Sequence, residues 1–242
     1  MAQNPKTFEI VAARAEGAAT RVLTIADVSG ANFDDVGGKY VIVHTGLERD
    51  GKAVKRAYSL MRGDAGRGCA EIAVKRIGLG SRVLHDAQAS ATFTFSGPWG
   101  KLVPEAGLSP RTLLIATDTG ITSVLGVVEQ AASAGLAAGM PVLWLAARNE
   151  TFLPEPRVRE RIERTGARLF TAELPDVHGG GRLEAALPHV TALALESDAT
   201  HVIATGDGAV VHPLKARVPE LVPSVVDVRC ECFFNNPERK SA

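Results

Sequence analysis

The period of the apolar residues changes between Pro104 and Pro110, and a single layer type cannot accommodate both halves. Upstream, apolar side chains alternate with polar ones: Phe8 and Ile10, Val22 near Thr24, Tyr40 and Ile42 before His44, then Phe93 and Phe95 among Thr92, Thr94 and Ser96. A period of two sends successive side chains to opposite faces, so each run predicts a short strand with one covered face. Ser29-Gly30, Gly37-Gly38, Asp50-Gly51 and Gly97-Pro98 punctuate the runs as turns of a meander or Greek-key barrel, and Asp50-Gly51 suits a two-residue hairpin.

Downstream the pattern becomes buried strands followed by helices: Thr112 to Ala116, Thr122 to Leu136, Val142 to Ala146. Pro156, Val158, Arg161 and Ile162 predict a short helix ending near Gly166. Leu183, Ala186, Leu187, Val190 and Leu193 predict a longer amphipathic one, with strands at Arg168 to Thr171 and His201 to Ala204. The expected fold is therefore β followed by α/β: an antiparallel β-barrel over 1–106, then a doubly wound parallel sheet over 107–242.

Charge narrows the partners. Lys plus Arg and Asp plus Glu both number 27, which leaves no net field to draw nucleic acid, and no nucleic-acid partner is expected. The longest apolar stretch, Ala131 to Ala147, is interrupted by Ser133, Gly135, Gly139 and Pro141, so no membrane insertion is expected. Three cysteines cannot close a disulfide framework or supply four ligands to an iron-sulfur cluster. With no signal-like N-terminus, a cytoplasmic location is expected. The histidines show no metal spacing, and no metal site is assigned.

Three motifs carry chemistry. Arg56-Ala-Tyr58-Ser59 sets a cation, an aromatic plate and a hydroxyl on one run, which suits a ligand with a phosphate and a flat ring; a half-exposed strand with a cross-strand Arg and Tyr is the plainer alternative. Gly78-Leu-Gly80-Ser81 precedes a helical turn whose backbone N–H groups could meet a pyrophosphate, or is simply a glycine-rich turn with a Ser cap. Leu113 to Ser123 ends a buried strand in Thr117-Asp118-Thr119-Gly120-Ile121-Thr122, the place where open α/β sheets hold phosphate-bearing ligands, or forms an ordinary turn.

Taken in order with Gly97-Pro-Trp-Gly100 and Gly206-Asp207, these motifs resemble the ferredoxin-NADP reductase-like flavoproteins across nearly the whole chain. The resemblance implies that FAD binds the first domain: Tyr58 packs on the ring, Arg56 neutralises phosphate, Ser59 lies near the reactive ring nitrogen, and Gly80 and Ser81 hold the pyrophosphate. It implies that Thr119, Gly120, Ile121 and Thr122 match the dinucleotide turn and that Gly206 and Asp207 border the nicotinamide. Asp118 stands where the family has Gly, which would set a carboxylate near phosphates. Ser123 replaces a Pro, and Thr205 a Cys.

At the C-terminus Val226, Val228, Cys230 and Cys232 alternate with Asp227, Arg229, Glu231 and Phe233, a strand with two distinct faces. The resemblance makes Glu231 a catalytic candidate beside Ser59, and Phe233 and Phe234 walls of the flavin site. Cys230 and Cys232 are expected to be small buried side chains. After the second parallel strand, Arg148 could meet a 2′-phosphate, helped by Arg157, Arg159 or Arg182, whereas Glu150 would favour free ribose hydroxyls; the expectation is NADP(H) over NAD(H). For Arg157, Arg159, Arg161 and Arg164 the simpler reading is a solvated helix face paired with Glu160 and Glu163.

The expected activity is a flavin oxidoreductase that takes a hydride from NAD(P)H and gives single electrons to a ferredoxin or flavodoxin docked on Lys52, Lys55, Lys75, Arg76 and Arg82. Alternatives are a free flavin or ferric reductase, and a non-catalytic electron-relay subunit in which Asp118 and Thr205 mark a decayed nucleotide site.

Overall fold

The structure, a computed structural model, describes residues 6–236 except 29–32, 34–35, 64–65, 67, 106, 149–151 and 178–179. The Ser29-Gly30 turn and Glu150 lie outside the described residues.

The alternating half forms six strands: β1 (Lys6–Ala15), β2 (Thr20–Asp27), β3 (Tyr40–Arg49), β4 (Lys52–Ser59), β5 (Cys69–Lys75) and β6 (Thr92–Trp99), with helix α1 (Leu79–Asp86) between the last two. They pair antiparallel in the order β4-β3-β6-β1-β2-β5. The sheet curls like a barrel but is not closed: its outer ends meet at one isolated bridge, Met61 to Glu71. Phe8, Ile10, Leu23, Ile25, Val41, Val43, Ile72 and Phe95 fill the inside, fully buried.

Asp50 and Gly51, with φ of 54° and 70°, make the two-residue turn between β3 and β4, as the sequence predicts. Gly97-Pro98 is not a turn. It lies inside β6, where the pairing with β3 shifts between Tyr40↔Trp99 and Ile42↔Ser96 and β6 carries the extra residue. A bulge of this kind tolerates a proline, which lacks a ladder N–H.

The second half forms β7 (Thr112–Thr117), a 3-10 turn (Asp118–Gly120), α2 (Ile121–Ser133), β8 (Pro141–Ala147), α3 (Glu155–Arg164), β9 (Arg168–Leu174), α4 (Arg182–Glu196), β10 (His201–Asp207), α5 (Gly208–Leu221) and β11 (Asp227–Phe234). The strands are parallel in the order β11-β10-β7-β8-β9. One apolar cluster joins α2 and α3 to one face, another joins α4 and α5 to the other. The order reverses between β7 and β10, which opens a crevice at their carboxyl ends. Helix α5 went unread in the sequence because Pro213 and Pro219 sit inside it. No helix among the described residues is long and apolar enough to cross a membrane.

The two sheets share a core. Val22, Met61, Ala73 and Leu102 of the first pack into the cluster under α2 and α3. Backbones approach closely there: a Cβ on Gly126 of α2 would stand 2.3 Å from the Leu60 carbonyl oxygen.

An ionic cluster crosses the same seam. Glu71, fully buried on β5, pairs with Arg14 of β1 and, at 3.1 Å, with Arg161 of α3. Arg161 also reaches Glu129 of α2 at 2.6 Å, whose other oxygen accepts the Arg62 and Gly63 N–H groups. Arg157 and Arg159 do pair along α3 with Glu160, Glu155 and Glu163, but Arg161 departs from the solvated-face expectation because Glu71 recruits it inward.

Candidate active site

The first motif and the C-terminal strand meet at the seam. A groove of about 350 Å³ is lined by Arg56, Tyr58 and Ser59 of β4, Ile77, Gly78 and Ser81 at the start of α1, Thr119 and Thr122 beyond β7, and Phe233 and Phe234 of β11. An adjoining pocket of about 220 Å³ shares Ala57, Ser59 and Phe233 with it and adds Tyr40, Ile42, Glu231 and Cys232. A larger cavity of about 690 Å³, beside Gly37, Lys101, Gln130 and Arg229, takes in Gly100 but none of the residues of the other motifs.

The register of the β3–β4 hairpin sets the groove wall. Tyr40 faces Ser59, and Ile42 faces Ala57. The Tyr58 ring is largely buried and its hydroxyl has no hydrogen-bond partner among the described residues; burial pushes the phenol up to about 12, with Arg56 pulling the other way. Arg56 is exposed, donates only to its neighbour's carbonyl (Nη1 to Lys55 O, 2.8 Å), and has no carboxylate partner among the described residues.

Gly80 serves packing. A Cβ there would meet Val54 at 2.9 Å and Arg56 at 3.2 Å, so the missing side chain lets α1 lie on β4 beside the Arg56 stem. The Ser81 hydroxyl is spent on its own turn, accepting the Ile77 and Gly78 N–H groups at 3.0 Å and donating to the Gly78 carbonyl. What α1 can offer an anion is the backbone N–H groups of its first turn.

At the crevice the motif residues mostly bind one another. Gly120 is small because a Cβ would stand 2.3 Å from the Thr205 carbonyl oxygen; Gly206, at φ 125°, would place one 2.3 Å from that of Thr117. Thr205 donates to the Gly120 carbonyl at 2.9 Å, the Asp207 N–H to Thr117 Oγ1 at 2.6 Å, and Thr122 to the Thr119 carbonyl at 3.0 Å. The Ile121 side chain is in the core and Asp207 is fully buried, capping α5 through the Ala209 N–H, so neither side chain faces the groove. Thr119 and Thr122 do.

Asp118 corrects an expectation. Its carboxylate turns away from the crevice, accepting the Ala147 N–H at 3.1 Å and pairing with buried Arg182, which also lies 3.0 Å from Asp207. Its backbone, at φ 48°, keeps the conformation a glycine would take. Arg182 is thereby removed from any ribose phosphate. The sequence held no signal for this pair, since 64 residues separate the partners.

Glu231 stands in the adjoining pocket with Ser59. Burial pushes its carboxyl up to about 7, while the Ser123 hydroxyl opposite draws it back, although Glu231 Oε2 and Ser123 Oγ do not close to hydrogen-bond geometry. Cys230 donates to the Val211 carbonyl at 3.0 Å, and burial pushes its thiol up to about 12; Cys232 faces the pocket.

Arg148 lies apart from the groove, at the end of β8. The guanidinium expected to meet a 2′-phosphate is here engaged by Glu173 of β9, which holds it at two points, Nε to Oε2 at 3.0 Å and Nη2 to Oε1 at 2.9 Å. Arg157 and Arg159 are likewise engaged along α3, and Arg76 of the expected docking patch pairs with Asp86 at 3.1 Å.

Residues 18–103 match the family of oxidoreductase FAD-binding domains. A ferredoxin–NADP reductase B of Sorangium cellulosum is 30% identical over 151 residues, 62% of this chain and 61% of that protein. The chain thus spans less than two thirds of that relative. Among solved structures, a flavohemoglobin of Malassezia yamatoensis superposes with a TM-score of 0.71 at 18% identity, over 95% of this chain and 60% of that one. The FAD/NAD binding domain of a Vibrio cholerae nitric oxide dioxygenase gives 0.67 at 16%, over 96% and 99%.

The chain therefore shares the two-domain fold of these structures, an antiparallel sheet followed by a parallel one covered on both faces. The matched residues 18–103 take in β2 to β6 and α1, so the likeness to oxidoreductase FAD-binding domains falls on the first domain. The groove suits FAD: an aromatic ring whose hydroxyl has no partner among the described residues, an exposed guanidinium, a helix N-terminus and a phenylalanine wall lie along one surface.

Proposed function

We propose that the chain is an NAD(P)H-dependent flavin oxidoreductase, divided at 106/107 into an FAD-binding and a nicotinamide-dinucleotide domain. The observation that carries this is the groove at the seam, where β4, the start of α1, the turn after β7 and the end of β11 supply one continuous lining. FAD bound there supplies the conversion between a hydride and single electrons. Tyr58 presents its ring face, Arg56 and the first-turn N–H groups of α1 meet the phosphates, and Phe233 and Phe234 keep water from the ring. Ser59 offers a hydroxyl beside the reacting atoms. Glu231, with its carboxyl near 7, holds or releases a proton in the adjoining pocket at neutral pH.

Thr119 and Thr122, at the carboxyl ends of β7 and β10, would hold the nicotinamide dinucleotide, and Arg148 would meet its adenosine end. The name of the Sorangium relative supports NADP; the Glu173 pairing of Arg148 weighs the other way. The electron acceptor is a ferredoxin or flavodoxin, received on the exposed β4 cations Lys52 and Lys55 and on Arg82.

The test is the visible spectrum of the purified protein, followed by anaerobic titration with NADPH and NADH. A flavin spectrum bleached by either nucleotide is expected. A flavin that neither bleaches would favour the relay subunit, and a colourless protein that takes up no FAD would overturn the reading.

A further inference from the structure

At the carboxyl ends of β8 and β9 a pocket of about 330 Å³ is lined by Trp144, Arg148, Leu153, Glu155, Thr171 and Glu173, among others. Trp144 and Leu153 form its apolar floor, nearly buried. Glu173 enters in register with Ala146, which brings its carboxylate against the guanidinium two residues further along. The lining therefore carries two carboxylates and one cation. Glu155 is itself engaged by Arg159 at 2.7 Å, while Arg148 and Glu173 form the two-point pair.

We propose that Glu173 decides which nicotinamide dinucleotide this pocket accepts, by holding Arg148 so that the site takes the form with free ribose hydroxyls, NAD(H), over the form with a 2′-phosphate. The inference rests on the functional reading above. A ribose hydroxyl can donate to Glu173 without disturbing Arg148, because each carboxylate oxygen has two acceptor sites and the pair uses one of each. A phosphate only accepts. To be held it must take Arg148 from Glu173, leaving a carboxylate facing a group of charge about −1.5 to −2. Arg148 is 78% exposed, so little holds it to Glu173; what opposes the exchange is the bare carboxylate left facing the phosphate, and the outcome depends on the charge at position 173.

The test is calorimetric binding of NAD⁺ and NADP⁺ to the wild-type protein, Glu173→Gln, and Glu173→Gln/Arg148→Gln, with thermal melts confirming that the variants fold. The oxidised nucleotides carry no hydride, so the readout is independent of turnover. Wild type is expected to bind NAD⁺ more tightly. Glu173→Gln should tighten NADP⁺ on the order of tenfold with little change for NAD⁺, and the double variant should lose that gain. Tighter NADP⁺ binding by wild type, or an unchanged ratio in Glu173→Gln, would overturn the role of Glu173 alone. Failure of wild type to bind either nucleotide would overturn the functional reading with it.

Discussion

Replacing Arg161 with Met tests whether the ionic cluster joins the two domains. The side chains of Arg161, Glu71 and Glu129 are 12%, 1% and 11% exposed, so their contacts are poorly screened. Breaking a buried pair from one side costs about 3–5 kcal/mol when the remaining charge is stranded. Here neither carboxylate is wholly stranded: Glu71 keeps Arg14, and Glu129 keeps the Arg62 and Gly63 N–H groups. The expected loss is therefore about 2–3 kcal/mol, which at roughly 2–4 °C per kcal/mol for a chain of this size lowers the melting temperature by about 5–10 °C. Scanning calorimetry reads this directly and also shows whether a single transition separates into two as the seam weakens. Arg161→Lys, able to satisfy one carboxylate at a time, should recover part of the loss. A shift below about 1 °C for Arg161→Met would refute a net contribution from the cluster.

Three further outcomes follow from the site. Burial raises the Glu231 carboxyl from its ordinary 4.5 to about 7, so the folded state binds more protons between those limits; stability should fall as pH rises through that window, by a few kcal/mol at most, and urea melts of Glu231→Gln should lose this dependence. Asp118→Gly restores a residue suited to φ 48° but leaves the Ala147 N–H unpaired and Arg182 with Asp207 as its one carboxylate neighbour among the described residues, so a net loss of about 2 kcal/mol is expected; a neutral or stabilised variant would show that the buried pair contributes nothing. Tyr58→Ala should weaken flavin retention on the order of tenfold, measured by the flavin-to-protein absorbance ratio after dialysis, and undiminished flavin would remove Tyr58 from the ring contact.

What could be read from the sequence was what depends on neighbours in the chain. The change of period near Pro104 located the two sheets, and Asp50-Gly51 located a hairpin, because pleat and turn conformation are local properties. Register was not legible. Paired symmetrically from that turn, Tyr40 would face Met61; a bulge between His44 and Glu48, with Gly46 at φ 74°, makes it face Ser59 and so sets the groove wall. Helix α5 carried a readable stripe at Val210, Val211, Leu214 and Val218, obscured by two prolines. The roles of Asp118, Arg148 and Arg161 each turn on a partner from a different element, Arg182, Glu173 and Glu71, and no spacing rule predicts such a pair.

The core shared by the two sheets bears on the order of synthesis. Residues 6–104 emerge from the ribosome able to form every strand of the first sheet, yet Val22, Met61, Ala73 and Leu102 have no cover until α2 and α3 follow. During that interval the nascent chain presents an apolar flank next to an open sheet edge, the combination most prone to capture by another chain. A truncation after Pro104 makes that transient surface permanent, and it should collect in inclusion bodies to a greater extent than the 242-residue chain expressed alongside it.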